Sequence, residues 1–245
     1  MPGGRPHLTV VVPSFNEEQR LPVTLRAILD YLDQANLPAE VLVIDDGSTD
    51  GTRRVAASLL GRDRGRVLRH EENRGKGFSF RKGFAAAQGR WVLLSDADLS
   101  TPIAEYARLA EVARQSDLDL VIGSRGMRDS RIELAQGRLR QTMGRTFNRI
   151  LRTLTALPFR DTQCGFKLMD HERLKPIVDR MIVDGFAFDV ELLYVATRFG
   201  LRAAEVPVTW RNSPGSRVGI ATAPPQMLLD VLRVLWRFRR GGYNP

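Results

Sequence analysis

Two aspartates one residue apart, Asp96 and Asp98, close the short apolar run Trp91-Val92-Leu93-Leu94. In extended chain, side chains at i and i+2 point the same way, so both carboxylates can reach one divalent cation or one sugar-diphosphate assembly. A bare Asp-x-Asp also fits a solvated strand-to-helix loop whose acids favour the next helix N-terminus. The neighbouring acids weigh against that plainer alternative. Glu17 follows a second apolar run, Leu8 to Val12, in the stretch Pro13-Ser14-Phe15-Asn16-Glu17-Glu18, and Asp45 and Asp46 follow a third, Val41 to Ile44. Five such acids in one cleft would repel one another. A divalent metal and a phosphate-bearing ligand, matched to basic residues such as Lys76 and Arg125, resolve the conflict. Gly75 and Gly77 on either side of Lys76 would let backbone amides approach a phosphate, with the lysine as counter-charge. No P-loop signature occurs, and a glycine loop with a solvated lysine is the competing reading.

The elements that must position these residues alternate. Leu21, Leu25, Ile28, Leu29 and Leu32 recur at helical spacing after the first apolar run, with Pro22 acceptable in the first turn. Ser48, Thr49 or Asp50 can cap a helix after the run at 41–44. Arg66 to His70 reads as a weaker strand, a helix follows through about Gln88, and Ile103 to Gln115 is helical. Asp119 to Arg125 is a further strand ending in small residues and an arginine. Strands alternating with helices predict an α/β fold, a doubly wound and mostly parallel sheet flanked by helices. In such a sheet the acid-rich loops share the carboxyl edge of the strands, where ligands bind.

With 245 residues and 43% hydrophobic content, one domain with an embellishment is expected rather than two. A single cysteine, Cys164, excludes an internal disulfide, suits a reducing compartment and reads as buried packing. His7, His70 and His171 have no metal-ligand spacing. The beginning of the chain does not read as a signal peptide, and no apolar run reaches about 18 residues. The expectation is a protein that does not span a membrane, located in the cytoplasm or peripherally on the cytoplasmic face of the membrane.

Net charge is +9, which implies an anionic partner. The surplus is regional: residues 125–160 hold nine arginines, whereas the first fifty residues hold three basic and eight acidic side chains. From Leu139 to Leu157, Met143, Phe147, Ile150, Leu151 and Leu154 form one helical face, ended by Pro158, and Arg138, Arg145, Arg149 and Arg152 lie opposite. That pattern fits an interfacial membrane helix, or a core-packed helix with solvated arginines. Met227 to Arg240 is a second amphipathic stretch with Trp236 and arginines at its end, suited to headgroup level or to capping the sheet. Nucleic acid is not expected as a partner, because aromatics are not interleaved with the arginines and no nucleic-acid motif is visible.

The motifs PSFNEE, VLVIDDGSTDGT, ENRGKG, DAD and GSR resemble the nucleotide-sugar half of family 2 glycosyltransferases of the GT-A (Rossmann-like) fold. DTQCGFKLM (161–169), FAFDVELLYVATRFGL (186–201) and EVPVTWRNSPGSRV (205–218) resemble the dolichyl-phosphate β-glucosyltransferases and the polyprenyl-phosphate sugar synthases. The resemblance covers residues 8 to about 240. It implies a single domain, with 8–125 binding the nucleotide-sugar and 126–240, with its amphipathic helices, binding the acceptor.

The activity implied is inverting transfer of a hexose, glucose first, from a UDP-sugar to an isoprenoid lipid phosphate, with Mg²⁺ or Mn²⁺. GDP-mannose as donor, a soluble acceptor, or a non-catalytic basic protein on the same scaffold are the alternatives. The resemblance assigns Pro13, Asn16 and Glu17 to the first nucleotide-contacting loop, and Asp45 and Asp46 to the base and ribose. Asp96 and Asp98 fall at the diphosphate and metal, Arg125 near the phosphates, and Arg217 on a late loop closing over the nucleotide. Ser100 stands where mannosyl relatives have glutamine. Because a lipid phosphate, with a second pKa near ~6, is largely ionised at neutral pH, no dedicated base is required. Asp161, Asp189 and Glu191 are candidates to orient sugar or acceptor; Asp161 could instead organise its loop, and Asp189 cap the helix from Val190. Arg138, in the arginine ridge, is a candidate to meet the lipid phosphate. Oligomeric state is not legible.

Overall fold

The computed structural model describes residues 5–61, 63–134, 138–211 and 223–244, with backbone alone at 134, 138–143, 145 and 223. In chain order the elements are β1 (Leu8–Ser14), α1 (Leu21–Gln34), β2 (Ala39–Asp45), α2 (Thr52–Leu60), β3 (Gly65–Arg69), α3 (Lys76–Ala86), β4 (Trp91–Leu94), α4 (Glu105–Gln115) and β5 (Leu120–Ser124). Then come β6 (Arg131–Leu134), α5 (Arg138–Thr155), β7 (Lys167–Asp170), α6 (His171–Val178), α7 (Phe188–Arg198), β8 (Ala203–Pro207), β9 (Thr209–Arg211) and α8 (Ala223–Arg239).

Seven strands form one sheet in the order β3-β2-β1-β4-β7-β5-β8, and β6 pairs with β9. All pairings in the main sheet are parallel except those of β7, which runs antiparallel between β4 and β5. β1, β2, β4 and β5 are apolar runs because both faces are covered, and their period of two sorts the residues between two cores. Val10, Val12, Val41, Val43, Leu93 and Val121 pack with Leu25 and Ile28 of α1, Leu60 of α2 and Leu109 of α4. Val11, Leu42, Ile44, Leu94 and Ile122 pack with Phe80 and Phe84 of α3 and with α6, α7 and α8. The expected α/β sheet with helices on both faces is therefore present.

The ends of β1, β2 and β4 meet at one edge because their register is fixed. Ser14 lies opposite Asp45, and Leu94 opposite Val11, with the Ser95 amide donating to the Val11 carbonyl. Among the described residues no helix is long and apolar enough to cross a membrane.

Candidate active site

At that edge, Leu99 takes a left-handed conformation (φ 48°) and turns the chain immediately after Asp98. The Asp96 carboxylate accepts from Lys76 Nζ at 2.6 Å and lies directly over the backbone of Gly165, where a Cβ would sit 2.2 Å from Asp96 Oδ2. Asp98 Oδ1 accepts from the Ser100 amide at 3.0 Å, and Oδ2 stands 4.0 Å from Arg20 Nη1, whose guanidinium is forked onto Glu17. Ser100 itself is buried, its carbonyl taken by the Arg211 amide.

Burial alone would raise the Asp96 pKa, but the Lys76 charge and hydrogen bond, with Lys167 and Arg125 further off, hold it below the ordinary carboxylate range. Burial likewise pulls on Lys76, and Asp96, Asp189 and Asp98 together push its pKa up. The ammonium therefore stays charged amid three acids.

Arg125, at the exit of β5, is clamped by Asp161: backbone N, Nε and Nη2 donate to the one carboxylate at 3.0, 2.6 and 2.9 Å. Asp161 is 4% exposed, and its own amide and that of Arg160 donate to Glu205. Burial opposes ionisation of Asp161, but Arg125 outweighs it and takes the pKa down to about 2. The structure thus makes Asp161 the residue that positions Arg125. A folded pKa below the ordinary 3.8 means stability that is fully present above about pH 4 and lost as pH falls through about 2. Urea midpoints measured from pH 5 to 2 are expected to fall for the wild type, and to fall less steeply for Asp161→Asn, which starts lower because Arg125 has lost its partner.

Asp189 is also brought towards this edge. It does not cap α7, whose N-cap is Ala187; its carboxylate instead accepts from Lys167 Nζ at 2.6 Å. Lys167 has no solvent exposure and also donates to the Cys164 carbonyl. Burial raises the Asp189 pKa, with Lys167 and Lys76 opposing. Glu191 behaves differently from expectation. Its oxygens accept from the Ile182 and Val183 amides and from Tyr243 OH at 2.5 Å, and with no solvent exposure it organises the turn before α7 rather than facing an acceptor.

The loops after β1 and β2 are knit together rather than left open. Asn16 Oδ1 accepts from the Thr49 amide, the Asn16 amide donates to Ser48 Oγ, and the Glu17 amide to Thr52 Oγ1. Pro13 is buried within β1. Asp45 Oδ1 accepts from the Ser48 amide, while its fully buried Oδ2 has no hydrogen-bond partner and lies 3.6 Å from Arg69 Nε. Asp46 is committed to His70 and to the Arg74 and Gly75 amides, so it shapes the glycine loop.

The expected phosphate cradle at Gly75 and Gly77 is not formed. The Gly77 and Phe78 amides donate to the Asp184 carbonyl, and both glycines are required because a Cβ at either would strike the backbone at 183–184. Arg138 opens α5 with its backbone alone described, and Arg217 lies outside the described residues.

Gly165, Lys167 and Arg20 escaped the sequence reading. A lysine inside the apolar run Gly165-Phe166-Lys167-Leu168-Met169 was the available signal, since a buried ammonium demands a buried acid; Glu17 and Arg20 at i, i+3 was another. Gly165→Ala is expected to keep the fold, displace the Asp96 carboxylate and lower kcat on the order of 10²-fold, the scale of an ångström's misplacement in a site. Steady-state kinetics beside a thermal melt check it.

A doubly wound sheet with an Asp-x-Asp turn after its fourth strand, flanked by a paired lysine and a clamped arginine, is the arrangement expected of a sugar-nucleotide transferase of the GT-A class. The chain belongs to glycosyl transferase family 2, whose family model matches residues 9–177. It is 35% identical over 250 residues to the dolichyl-phosphate beta-glucosyltransferase of Homo sapiens, covering 97% of this chain and 77% of that protein. To the Dictyostelium discoideum protein of the same name it is 32% identical, covering 96% and 76%. Among solved structures, glucosyl-3-phosphoglycerate synthase from Mycobacterium tuberculosis in complex with Mn²⁺, UDP-glucose and phosphoglyceric acid is similar in fold, with a TM-score of 0.69 at 23% identity and coverage of 94% and 79%. The family read from the motifs is therefore the family found.

Proposed function

We propose that this protein transfers glucose from UDP-glucose to a dolichyl or other polyprenyl phosphate, with inversion at the sugar carbon. The observation that carries this reading is the edge itself, where Asp96 and Asp98 stand among Lys76, Arg125 and Arg20, in a chain that shares a third of its residues with dolichyl-phosphate beta-glucosyltransferases. Among the described residues no three acidic, histidine or cysteine side chains gather as a metal cage. Two carboxylates fit a hard cation that completes its shell with substrate phosphates and water, as Mg²⁺ or Mn²⁺ does in nucleotide sites. When bound, the cation would supply neutralisation of charge on the departing diphosphate.

The protein's own groups carry the remainder. Asp45 Oδ2, buried and without a hydrogen-bond donor, accepts from a donor group of the nucleoside that reaches it. Lys76 and Arg125 bring positive charge to the phosphates, and the Asp161 clamp means that no reorganisation of Arg125 is needed as charge develops. The acceptor phosphate is already anionic, so it attacks without surrendering a proton, and alignment opposite the breaking bond is what the site must provide. Asp189, buried beside Lys76 and held by Lys167, acts on sugar or acceptor through the charge it sets at Lys76. A screen of labelled UDP- and GDP-sugars against polyprenyl phosphate, with and without Mg²⁺ or Mn²⁺, tests this: metal-dependent transfer from UDP-glucose is expected, and preference for GDP-mannose would assign a different donor.

Contact with the membrane would come from α5 and α8, which pack against each other. The apolar stripe of α5 divides: Leu151 is fully buried, while Ile150 and Leu154 are 44% and 41% exposed, between Leu151 and the exposed Arg149. On α8, Leu229, Leu232 and Trp236 form an outward stripe, and the Arg240 guanidinium lies 4.2 Å from the Trp236 ring. Apolar stripes edged by arginine and tryptophan suit the headgroup boundary, at about 1 kcal/mol per arginine near an anionic surface. Changing Arg149, Arg152, Arg233 and Arg240 to glutamine is expected to weaken sedimentation with anionic vesicles and leave UDP binding intact. Unchanged sedimentation would remove these helices from the membrane.

A further inference from the structure

We propose that Lys76 is a resident counter-ion that keeps divalent cations off the Asp96–Asp98 edge until a nucleoside diphosphate arrives, so that metal and nucleotide bind with strong positive coupling. The proposal rests on the glycosyltransferase reading of the site and adds to it an account of when the metal enters. Lys76 Nζ lies 2.6 Å from Asp96 Oδ1, and both oxygens of that carboxylate are pressed over Gly165. The second aspartate has Arg20 Nη1 at 4.0 Å. Each carboxylate is thus faced by a cation of the protein, and an incoming Mg²⁺ or Mn²⁺ meets an ammonium where it needs an open anion. A dication seated on the same carboxylate oxygen would stand close to the ammonium and be repelled by it, more strongly in a partly buried setting than in water.

The backbone around Lys76 is tied down on both sides. Asp46 holds the Arg74 and Gly75 amides, and the Asp184 carbonyl holds those of Gly77 and Phe78. Gly75 (φ 103°) and Gly77 are packed against the backbone of Val183 and Asp184. Only the flexible stem of the lysine is able to move, over the ring of Phe188, whose centroid is 5.8 Å from Nζ. A diphosphate offers the ammonium a stronger anion than Asp96, and at the same time offers a metal the oxygens that the protein lacks. Release of Asp96 and supply of phosphate oxygens occur together, and by linkage each ligand then tightens the other by the same factor.

The test is a Mn²⁺ titration followed by electron paramagnetic resonance, with and without UDP, on wild type, Lys76→Met and Lys76→Arg, with thermal melts to confirm folding. Wild type is expected to bind Mn²⁺ weakly alone and at least about 10-fold more tightly with UDP, within the usual range of coupling. Lys76→Met should bind Mn²⁺ more tightly than wild type in the absence of UDP and lose most of the coupling, and Lys76→Arg should retain it. Equal Mn²⁺ affinity of wild type and Lys76→Met without UDP, or wild-type affinity that UDP does not change, would overturn the proposal. Asp98→Asn separates the two levels: if it leaves Mn²⁺ binding with UDP unaltered, the assignment of the metal edge fails, whatever Lys76 does.

Discussion

Replacing Asp98 by asparagine is expected to lower kcat by about 10²- to 10³-fold, the scale of losing one preorganised charge-stabilising group. Asp98 is 23% exposed at its side chain, and its contacts are a local bond from the Ser100 amide and a distant Arg20. Asparagine keeps the shape and the acceptor oxygen for Ser100 but removes the negative charge. The loss should therefore fall on turnover and leave the melting temperature unchanged. A variant as active as wild type, or wild-type activity in excess chelator, would remove Asp98 and its metal from the mechanism.

Asp189→Ala is expected to cost about 3–5 kcal/mol of stability, because it strands a buried charge. Lys167 Nζ has two partners, Asp189 and the Cys164 carbonyl, and no exposure to water. With the carboxylate gone, a neutral carbonyl is the one hydrogen-bond partner left to the ammonium, and Asp96 and Asp161 act on it only from further off. The double variant Lys167→Met with Asp189→Leu should recover most of the loss, since both charges leave together. Urea unfolding of the two variants decides it. An unshifted midpoint for Asp189→Ala would show that the lysine finds water or another acid, and that the pair is not a structural unit.

The parts legible in the sequence are those with local causes. β1, β2 and β4 are apolar runs that end in turn chemistry, and the parallel arrangement follows from their alternation with helices, so the acids after them fall at one edge. The motif resemblance carried the family and the residues of that edge. β7 was not legible as a strand between β4 and β5: it has four residues, one of them a lysine, and its place comes from antiparallel pairing with strands far along the chain. Side-chain roles set by distant partners were equally hidden. Asp161 and Glu191 look alike as acids in the second half, yet one clamps an arginine at the site and the other ties the Tyr243 end of the chain to the turn at 182–183. The period of α5 was plain in the sequence, but which part of its apolar face stays open depends on how it packs against the core and α8.

The most direct test of the account is a single reaction containing labelled UDP-glucose, Mg²⁺ or Mn²⁺, polyprenyl phosphate in vesicles and 3-phosphoglycerate, with the label followed into the organic and aqueous phases. Label entering the organic phase as a lipid-linked glucose, abolished by chelator and by Asp98→Asn, is the predicted result. Label transferred to the soluble phosphate while the lipid stays unmodified would contradict it.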